Sequence, residues 1–427
     1  MRKVLIIGSG GREHAIAWSI RETSLKPVQV FCVPGNAGIG EIAEIPTVPI
    51  NDHAVLAEFV ESRHIDLTFV GPEAPLVSGI VDLFTQRGLR IVGPGAAVAR
   101  LEGSKIFAKD FMAQHRIPTA HYRVADGAEE AIECLRSGQF GTGETPVVIK
   151  ADGLAAGKGV VVAKNMTEAE KAIEDLMVHH VAGREAAERV VIEEALRGRE
   201  ASLLVFADGR DYALMPAARD HKRIGENDTG PNTGGMGSIT DDAVLDKGVQ
   251  DRVVSEIVEP TLAAAREEGF PFKGVLFLGL MLTEDGPKLL EYNVRFGDPE
   301  TQAILVRLKT DLLAVFDSMY NETLRSLDVE WSEGASACIV AANKGYPGKY
   351  ESGAVIEGLD EISSDSVQVF HAGTSRDSGG RATATGGRVL GITAASERLP
   401  DALALCYGAL EKIHWPGMQF RRDIGRT

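Results

Sequence analysis

The apolar positions near the start of the chain fall into short continuous runs separated by stretches of helical spacing. Residues 4–7 are all apolar and end at Gly8, as expected of a buried strand. Further strand-like runs lie at residues 28–33, 66–70 and 90–92, and helical spacing marks residues 15–20, 55–60 and 77–84. Strands that alternate with helices predict a doubly wound parallel sheet, which we assign to an α/β domain at residues 1–104.

A second region, placed at residues 105–325, contains a compact unit that we predict to be a small mobile lid at about residues 121–195. Its predicted elements are a helix at 129–136, strands at 147–150 and 160–163, a helix at 168–177 and a strand at 190–194. Two strands joined by a glycine-rich loop are typical of an antiparallel hairpin. Later strands are predicted at 202–206, 275–282 and 288–292, with a helix at 253–266.

Residues 220–237 contain five glycines and almost no apolar side chains. They predict a long loop of the kind that is either functional or disordered. Residues 326–427 predict a strand-rich C-terminal domain, with strands at 335–342, 367–371 and 388–393 and a closing helix at 403–413. The expected fold class is therefore a multidomain α/β and α+β protein.

Composition and charge narrow the possible partners. The 427 residues include 45 Lys and Arg against 61 Asp and Glu, and this net charge of −16 disfavours nucleic acid and anionic membranes as partners. We see no signal peptide and no run of about 18 apolar residues that could span a membrane. The four cysteines are scattered and lack metal-binding spacing. We therefore expect a cytoplasmic protein, and the lack of a coiled-coil heptad favours a monomer.

The first candidate site is the sequence GSGGREH at residues 8–14, directly after the first predicted strand. Glycines let the backbone approach a phosphate, and the following helix offers N–H groups. A dinucleotide fingerprint would need glycine in place of Glu13 and an acid at the end of the second strand, where Cys32, Val33 and Pro34 stand. A phosphate-bearing substrate is therefore favoured over a dinucleotide, and a simple tight turn is the remaining alternative.

The second candidate is the predicted hairpin that carries Lys150, Gly157, Lys158 and Gly159. It is not a P-loop, because the glycine spacing is wrong and Gly159 stands where a hydroxyl is required. A flexible glycine hairpin with flanking lysines suits a loop that closes over a triphosphate, whereas a solvated turn would not explain a lysine at the end of an apolar strand.

Two further strands end in polar residues. The strand at 190–194 ends in Glu193 and Glu194, a weak signal for an adenine site because glutamates usually face solvent. The strand that ends near residue 293 is more specific, since a period of two puts Glu291, Asn293 and Arg295 on one face. Two oxygen donors can ligate Mg²⁺, and an adjacent arginine can neutralise a transferring phosphoryl group.

The order of these motifs is similar to that of ATP-grasp ligases, and longer motifs are more specific. They are GPEAPL at 71–76, LEGSK at 101–105, DHKR at 220–223 running on to TGPNTGGMG at 229–237, and RFGDPETQ at 295–302. From residue 3 to about residue 425 the chain resembles the glycinamide ribonucleotide synthetase family, the phosphoribosylamine–glycine ligases. The resemblance implies an ATP-grasp core and a ligase of purine biosynthesis that joins glycine to 5-phosphoribosylamine through glycyl phosphate.

The resemblance also implies a role for each matching residue. ATP phosphates would be held by Lys105, Lys150, Gly157, Lys158 and Gly159, adenine by Glu193 and the Leu196 backbone, and ribose by Glu200. Mg²⁺ or Mn²⁺ would be ligated by Glu291 and Asn293. Phosphoribosylamine would face Gly10, Gly11, Arg12, Glu73 and Pro75. Glycine and the acyl phosphate would be surrounded by Asp220, Lys222, Asn232, Thr233, Gly234, Gly235, Arg295 and Asp298. Of all these, Arg295, Lys150 and Asp298 are the candidate catalytic residues.

The chain departs from the wider ATP-grasp pattern at residues 277–282, which contain no second metal-ligating acid. Three other functions remain open at this point: an NAD-dependent oxidoreductase, an ATP-grasp carboxylase or a different amine ligase, and a binding module without activity. The unstable amine substrate suggests at most a transient contact with a neighbouring pathway enzyme.

Overall fold

The computed structural model describes residues 1–155, 159–181, 183, 188–362 and 365–426. Gly157 and Lys158, both assigned to the ATP site, lie outside the described residues.

The N-terminal region forms a parallel sheet with helices on both faces, as predicted. Its elements are β1 (Arg2–Gly8), α1 (Gly11–Thr23), β2 (Val28–Pro34), α2 (Ile39–Ile42), α3 (His53–Arg63), β3 (Leu67–Val70), α4 (Glu73–Val77), α5 (Ile80–Gln86), β4 (Ile91–Val92) and α6 (Ala96–Gly103). The strand order is β2-β1-β3-β4, and every pairing is parallel. Alternate residues of β1 enter different cores: Leu5 packs with α3 and α5, whereas Val4 packs with α1.

One helix prediction in this region was wrong. The apolar spacing at residues 77–84 predicted a single helix, but the chain forms α4 and α5 with a break between them. Gly79 adopts a φ of 86°, a left-handed conformation that interrupts the helix and that glycine adopts at little cost.

The predicted lid is a four-stranded antiparallel sheet with its own small apolar core. Its elements, after α7 (Lys105–Gln114), are β5 (Tyr122–Ala125), α8 (Ala128–Arg136), β6 (Val147–Ala151), β7 (Val160–Ala163), α9 (Met166–Ile173) with a helical extension Glu174–Val178, and β8 (Val190–Glu194). The antiparallel pairing of β6 with β7 confirms the predicted hairpin. The sequence pattern missed β5, which pairs with β8 at the sheet edge.

The central elements begin with β9 (Arg199–Asp208), β10 (Tyr212–Leu214), β11 (Ala218–Asp220), β12 (Arg223–Gly225), β13 (Thr229–Asn232) and β14 (Gly237–Thr240). They continue with α10 (Lys247–Val253), the helical segment Val254–Val258, α11 (Glu259–Glu267), β15 (Lys273–Thr283), β16 (Gly286–Asn293), α12 (Glu300–Leu305) and α13 (Leu312–Asn321). The loop predicted at residues 220–237 was only partly right, because β12 and β13 form an antiparallel hairpin there. Their short, polar strands carry no apolar alternation from which the hairpin could be predicted.

The C-terminal elements add four strands to the central sheet and form a separate sheet of three strands. They are β17 (Ala335–Asn343), β18 (Ala354–Val355), β19 (Gln368–His371), β20 (Thr374–Arg376), β21 (Ala382–Ala384), β22 (Arg388–Ser396), α14 (Leu399–Leu410) and β23 (Met418–Gln419). The main path of the sheet runs β16-β15-β9-β11-β14-β17-β22-β19. The division at residues 325 and 326 remains a prediction, and one antiparallel sheet continues across it through the pairing of β14 with β17. No helix among the described residues is long and apolar enough to cross a membrane.

A pair of buried histidines joins the N-terminal sheet to the central sheet. Nδ1 of His14 in α1 accepts a hydrogen bond of 2.8 Å from the backbone N–H of His371 in β19. Burial lowers the pKa of His14 to about 3 and that of His371 to about 4, so both rings are neutral near pH 7. Gly38 fills the space beside them: a Cβ there would lie 2.5 Å from Cε1 of His14 and 2.5 Å from Cδ2 of His371.

We predict that Gly38→Ala destabilises the protein by about 1–3 kcal/mol, because the added methyl group overpacks both rings. The backbone of Gly38 is right-handed helical, so the effect is steric rather than conformational. Chemical unfolding of the variant and the parent measures it. Gly408→Ala in α14 is the matched control, since a Cβ there meets nothing within 4 Å. We expect Gly408→Ala to raise the free energy of unfolding by up to about 1 kcal/mol. Equal stability of Gly38→Ala and the parent would contradict the predicted overpacking of the two rings.

Candidate active site

A buried carboxylate lies between two lysines where the lid meets the central sheet. Glu193 of β8 is 1% exposed, with Nζ of Lys150 at 2.9 Å and Nζ of Lys109 at 3.1 Å from its two oxygens. Lys150 and Glu193 share one face of the lid sheet, because Val148 is the residue directly opposite Glu193. Burial lowers the pKa of Lys109 to about 8, although Glu193 opposes this shift. Lys109 has no distinguishing motif in the sequence, because it lies in an ordinary amphipathic helix, α7, and its role was not predicted.

The strand β16 carries an irregularity at its polar end. Gly279 of β15 pairs with Glu291 while Leu280 pairs with Leu289, so Leu290 is an extra residue. Its carbonyl accepts a hydrogen bond of 3.1 Å from Lys150. This contact ties the lid to the strand of the predicted metal ligands.

Glu291 and Asn293 are oxygen donors in a strongly cationic setting. Nζ of Lys105 lies 3.2 Å from Oε2 of Glu291. Lys105 holds the pKa of Glu291 well below its usual range, with Lys222 and Lys150 adding to the effect. The amide oxygen of Asn293 accepts a hydrogen bond of 3.2 Å from Arg295. An ionised carboxylate and a neighbouring amide oxygen are the ligand types that a hard divalent cation prefers.

Arg295 is held from several sides. Its guanidinium lies 2.8 Å from Oε1 of Glu102 and 3.4 Å from Oε2 of Glu73, and it donates to the carbonyl of Phe296 at 3.2 Å. Glu102, 4% exposed, also accepts from the N–H of Val294 at 2.8 Å. Glu102 belongs to a motif that supported the family resemblance, but it was given no role, because its partner lies 193 positions along the chain.

The start of α1 packs tightly against the turn that precedes α12. A Cβ on Gly10 would lie 3.2 Å from Oδ2 of Asp298, and one on Gly11 would lie 2.6 Å from Nε2 of Gln302. Burial disfavours the charged form of Asp298, but the guanidinium groups of Arg388 and Arg12 hold its pKa below the usual range. Nη2 of Arg388 is 3.3 Å from its Oδ2.

Glu13 partly occupies the predicted phosphate loop. Its carboxylate accepts hydrogen bonds of 2.6 Å from the backbone N–H of Gly10 and from Nε of Arg12. A Cβ on Gly71 would lie 2.0 Å from Oε1 of Glu13, so the loop before α4 also packs on this side chain. Within α4, Pro75 is buried and Glu73 points to Arg295.

Four more predicted residues lie in or beside the hairpin of β12 and β13, and Lys222 lies directly before it. Nζ of Lys222 lies 3.0 Å from Oε2 of Glu200, and the Lys222 carbonyl accepts from the backbone and hydroxyl of Thr233 at 2.8 Å each. The carbonyl oxygens of Gly234 and Gly235 accept from Arg388. Asn232 pairs with Arg223 inside the hairpin.

Four predicted residues are placed by backbone contacts or packing. Gly235 has a φ of 108°, and a Cβ there would lie 2.6 Å from Oδ1 of Asp220. Burial, together with the charge of Glu300, raises the pKa of Asp220. Leu196 lies half-buried in the connection from β8 to β9, and the carbonyl of Gly159 accepts from the N–H of Ala151 at 2.8 Å.

Family models match nearly the whole chain. They are described as the phosphoribosylglycinamide synthetase N domain, matching residues 2–102, the ATP-grasp (A) domain of the same family, matching 103–301, and its C domain, matching 336–427. A relative named phosphoribosylamine–glycine ligase from Pseudomonas aeruginosa is 47% identical over 425 residues, with 99% of this chain and 97% of the relative covered. A relative of the same name from Caldanaerobacter subterraneus is 44% identical over 422 residues, covering 99% of each chain.

Solved structures agree with these relatives. A crystal structure of phosphoribosylamine–glycine ligase from Thermotoga maritima superposes with a TM-score of 0.84 at 33% identity, covering 99% of both chains. A biotin carboxylase domain of 2-oxoglutarate carboxylase from Hydrogenobacter thermophilus, solved with MgADP and bicarbonate, gives a TM-score of 0.73 at 16% identity and covers 98% of this chain and 91% of that one. The second likeness concerns the fold alone. Because consecutive family models and full-length relatives agree, this chain belongs to the phosphoribosylglycinamide synthetase family of ATP-grasp ligases.

Proposed function

We infer that this ATP-grasp ligase joins glycine to 5-phosphoribosylamine in purine biosynthesis and forms glycinamide ribonucleotide, ADP and phosphate. The family and the names of the relatives support the substrates. The observation that carries the chemistry is the small cavity between lid and central sheet. It is lined by three lysines and two carboxylates, Lys105, Lys109, Lys150, Glu193 and Glu291.

The reaction has two balanced steps. A carboxylate oxygen of glycine attacks the γ-phosphorus of ATP, a P–O bond forms, and the bond to the bridging oxygen breaks as ADP leaves. The amine of phosphoribosylamine then attacks the acyl carbon, so a C–N bond forms, phosphate leaves with the electron pair of the C–O bond, and the amine loses a proton. The site needs no protein nucleophile, since positioning and charge neutralisation supply most of the catalysis.

For the nucleotide, we propose that Lys105, Lys150 and the hairpin residues Gly157, Lys158 and Gly159 hold the phosphates. Glu193 and the backbone of Leu196 would bind adenine. Glu200 would bind the ribose, and its contact with Lys222 supports a position at the edge of the same site. Closure of the lid over ATP would exclude water, which protects glycyl phosphate from hydrolysis.

The divalent metal used by this family fits the donor set. Glu291 is held ionised beside Lys105, and Asn293 offers an amide oxygen. We propose Mg²⁺ or Mn²⁺ at these two residues, where the ion would neutralise charge on the phosphate oxygens when bound. The described part of the chain contains no cluster of three or more His, Cys, Asp or Glu side chains that could hold a metal ion.

For the acid and amine substrates, we propose two adjoining positions. Arg295 would neutralise the transferring phosphoryl group, with Asp298, Asp220, Lys222 and residues 232–235 around glycine. Gly10, Gly11, Arg12, Glu73 and Pro75 would face phosphoribosylamine. They lie beyond the carboxyl ends of β1 and β3, which meet at one edge of the parallel sheet, the usual location for ligands.

We also propose that the chain acts as a monomer in the cytoplasm. Because phosphoribosylamine is unstable, any contact with the neighbouring pathway enzyme that supplies it would be transient.

The proposed function predicts that ADP release requires both substrates. The assay supplies ATP and Mg²⁺ and then adds or omits glycine and freshly generated phosphoribosylamine. Release that needs both is the expected result. Release that is indifferent to glycine would contradict the acid substrate, and release with bicarbonate alone would indicate a carboxylase.

We predict that Glu291→Ala lowers kcat by at least about 100-fold with the fold intact, because an ionised metal ligand is lost. Steady-state kinetics and circular dichroism measure the two effects. The matched control is Glu284→Ala, which removes an exposed acid from the turn that joins β15 to β16 and should leave kcat unchanged. Near-normal turnover of Glu291→Ala would remove this residue from the metal site.

We predict that Lys109→Met lowers kcat/KM for ATP by about 10–100-fold while KM for glycine changes little. Without Lys109, the buried Glu193 has only Lys150 as a counter-charge, so Lys150 is less free to meet a phosphate. In the parent protein, kcat/KM for ATP should fall as pH rises through about 8, where Lys109 loses its proton.

Lys171→Met is the control for this prediction, since Lys171 is an exposed lysine of the lid helix α9. If Lys109→Met lowered kcat/KM for ATP and kcat/KM for glycine equally, Lys109 would only support the fold.

A further inference from the structure

Residues 418–425, which we name the carboxy-terminal strap, cross the hairpin of β12 and β13. The strap begins as β23, where Gln419 pairs with Ala342 of β17. It then leaves the sheet and contacts the hairpin at its tip, along its first strand and at its base. The hairpin follows directly on Asp220 and Lys222, which we propose as substrate residues.

Arg421 makes the central contacts of the strap. It is 2% exposed, and its guanidinium donates to Asp228 at 2.8 Å and to the carbonyl of Arg223 at 3.1 Å. The other side of the guanidinium meets both oxygens of Asp423 at 2.8 Å each. A fully buried arginine with this set of partners fixes two parts of the hairpin relative to the strap.

The hairpin tip adopts a conformation that is costly without support. Asn227 and Asp228 have φ values of 55° and 51°, in the left-handed region. The N–H of Asn227 donates to Asp423 at 2.7 Å, and the N–H of Arg422 donates to Glu226 at 3.2 Å. The strap therefore supplies polar partners on both sides of this turn.

The base of the hairpin is held through an imidazole. The N–H of Gly425 donates to Nε2 of His221 at 3.1 Å, which leaves Nδ1 to donate to the carbonyl of Gly237 at 3.1 Å. Burial lowers the pKa of His221 to about 4, consistent with this neutral form. Ile424, 1% exposed, packs against Gly237, where a Cβ would come within 3.0 Å of its side chain.

The hairpin has little of its own to keep it in place. Thr229, Gly230 and Pro231 are exposed, and a two-stranded ribbon with few buried apolar side chains is marginal in water. The hairpin is nevertheless joined directly to the proposed substrate residues. The carbonyl of Lys222, before the hairpin, accepts two hydrogen bonds from Thr233, which follows it.

We propose that Arg421 is a positioning residue for the ligase reaction: through the strap it fixes the hairpin so that Asp220, Lys222 and residues 232–235 keep the geometry that glycine requires. This inference rests on the proposed function. It assigns to the strap an effect on the acid substrate and not on ATP, whose proposed contacts lie in the lid, at the start of α7 and on β9 and β16.

The test compares Arg421→Met with Arg398→Met in the full-length chain. Arg398 makes an exposed two-point contact with Asp401 on α14, with hydrogen bonds of 2.7 and 2.9 Å, and does not contact the hairpin. We expect Arg421→Met to raise KM for glycine at least tenfold with KM for ATP within twofold of the parent, and Arg398→Met to change neither. Arg421→Lys keeps the positive charge but loses the planar guanidinium that bonds several partners at once. Its KM for glycine should lie between those of the parent and Arg421→Met.

A second measurement does not depend on turnover. Hydrogen exchange of the free protein should show faster exchange at the amides of residues 222–233 in Arg421→Met, with the lid amides unchanged. Asp228→Asn combined with Arg421→Met should be no worse than Arg421→Met alone, since both act through one contact. If Arg421→Met does not fold, Asp423→Asn tests the same network with the arginine in place.

Three outcomes would overturn the proposal: an unchanged KM for glycine, equal increases for glycine and ATP, or a lower melting temperature without faster exchange in the hairpin. Failure of the proposed function is distinguishable, because ADP release by the parent protein would then be indifferent to glycine while the exchange result could still be obtained.

Discussion

The guanidinium of Arg295, whose side chain is only 18% exposed, requires counter-charges, and the fold brings them from the N-terminal region. Glu73 stands at the start of α4 and Glu102 near the end of α6, whereas Arg295 follows the central strand β16. Removing one partner from a buried ion pair leaves an uncompensated charge, which costs about 3–5 kcal/mol. The pairing of Arg295 with the buried Glu102 therefore favours the observed docking of the parallel sheet on the antiparallel sheet, and the proposed sites for both acid and amine lie along this junction.

The same constraint recurs in the lid. Glu193 is as deeply buried as Glu102, and its two lysines come from α7 and β6. Although the chain as a whole is strongly acidic, the cavity is lined by local cations, each placed against a carboxylate. Net charge argues against extended polyanions as partners but has no bearing on a small anionic substrate, because such a substrate meets only these few residues.

Periodicity was sufficient to predict the long buried strands and the lysine hairpin, because burial on one or both faces leaves a pattern in the chain itself, but it missed the short buried strand β14. It failed where structure depends on distant contacts. The hairpin of β12 and β13 is hydrogen-bonded to Arg421, which lies almost two hundred residues later. Lys109 and Glu102 were missed for the same reason, since each is distinguished only by its partner in space. The family resemblance supplied the substrates, which spacing alone could not.

The contact between Lys150 and Glu193 bears on how tightly a nucleotide can be held. In the free protein, Lys150 already has a carboxylate partner and a carbonyl partner. For the proposed site, an arriving phosphate does not meet a bare cation but displaces an internal anion from it. The affinity for the nucleotide then reflects the free-energy difference between two ion pairs, Lys150 with phosphate and Lys150 with Glu193. That difference is smaller than the free energy of either pair alone. When the spent nucleotide departs from the proposed site, Glu193 can pair with Lys150 again, so the same arrangement that moderates binding also stabilises the nucleotide-free state.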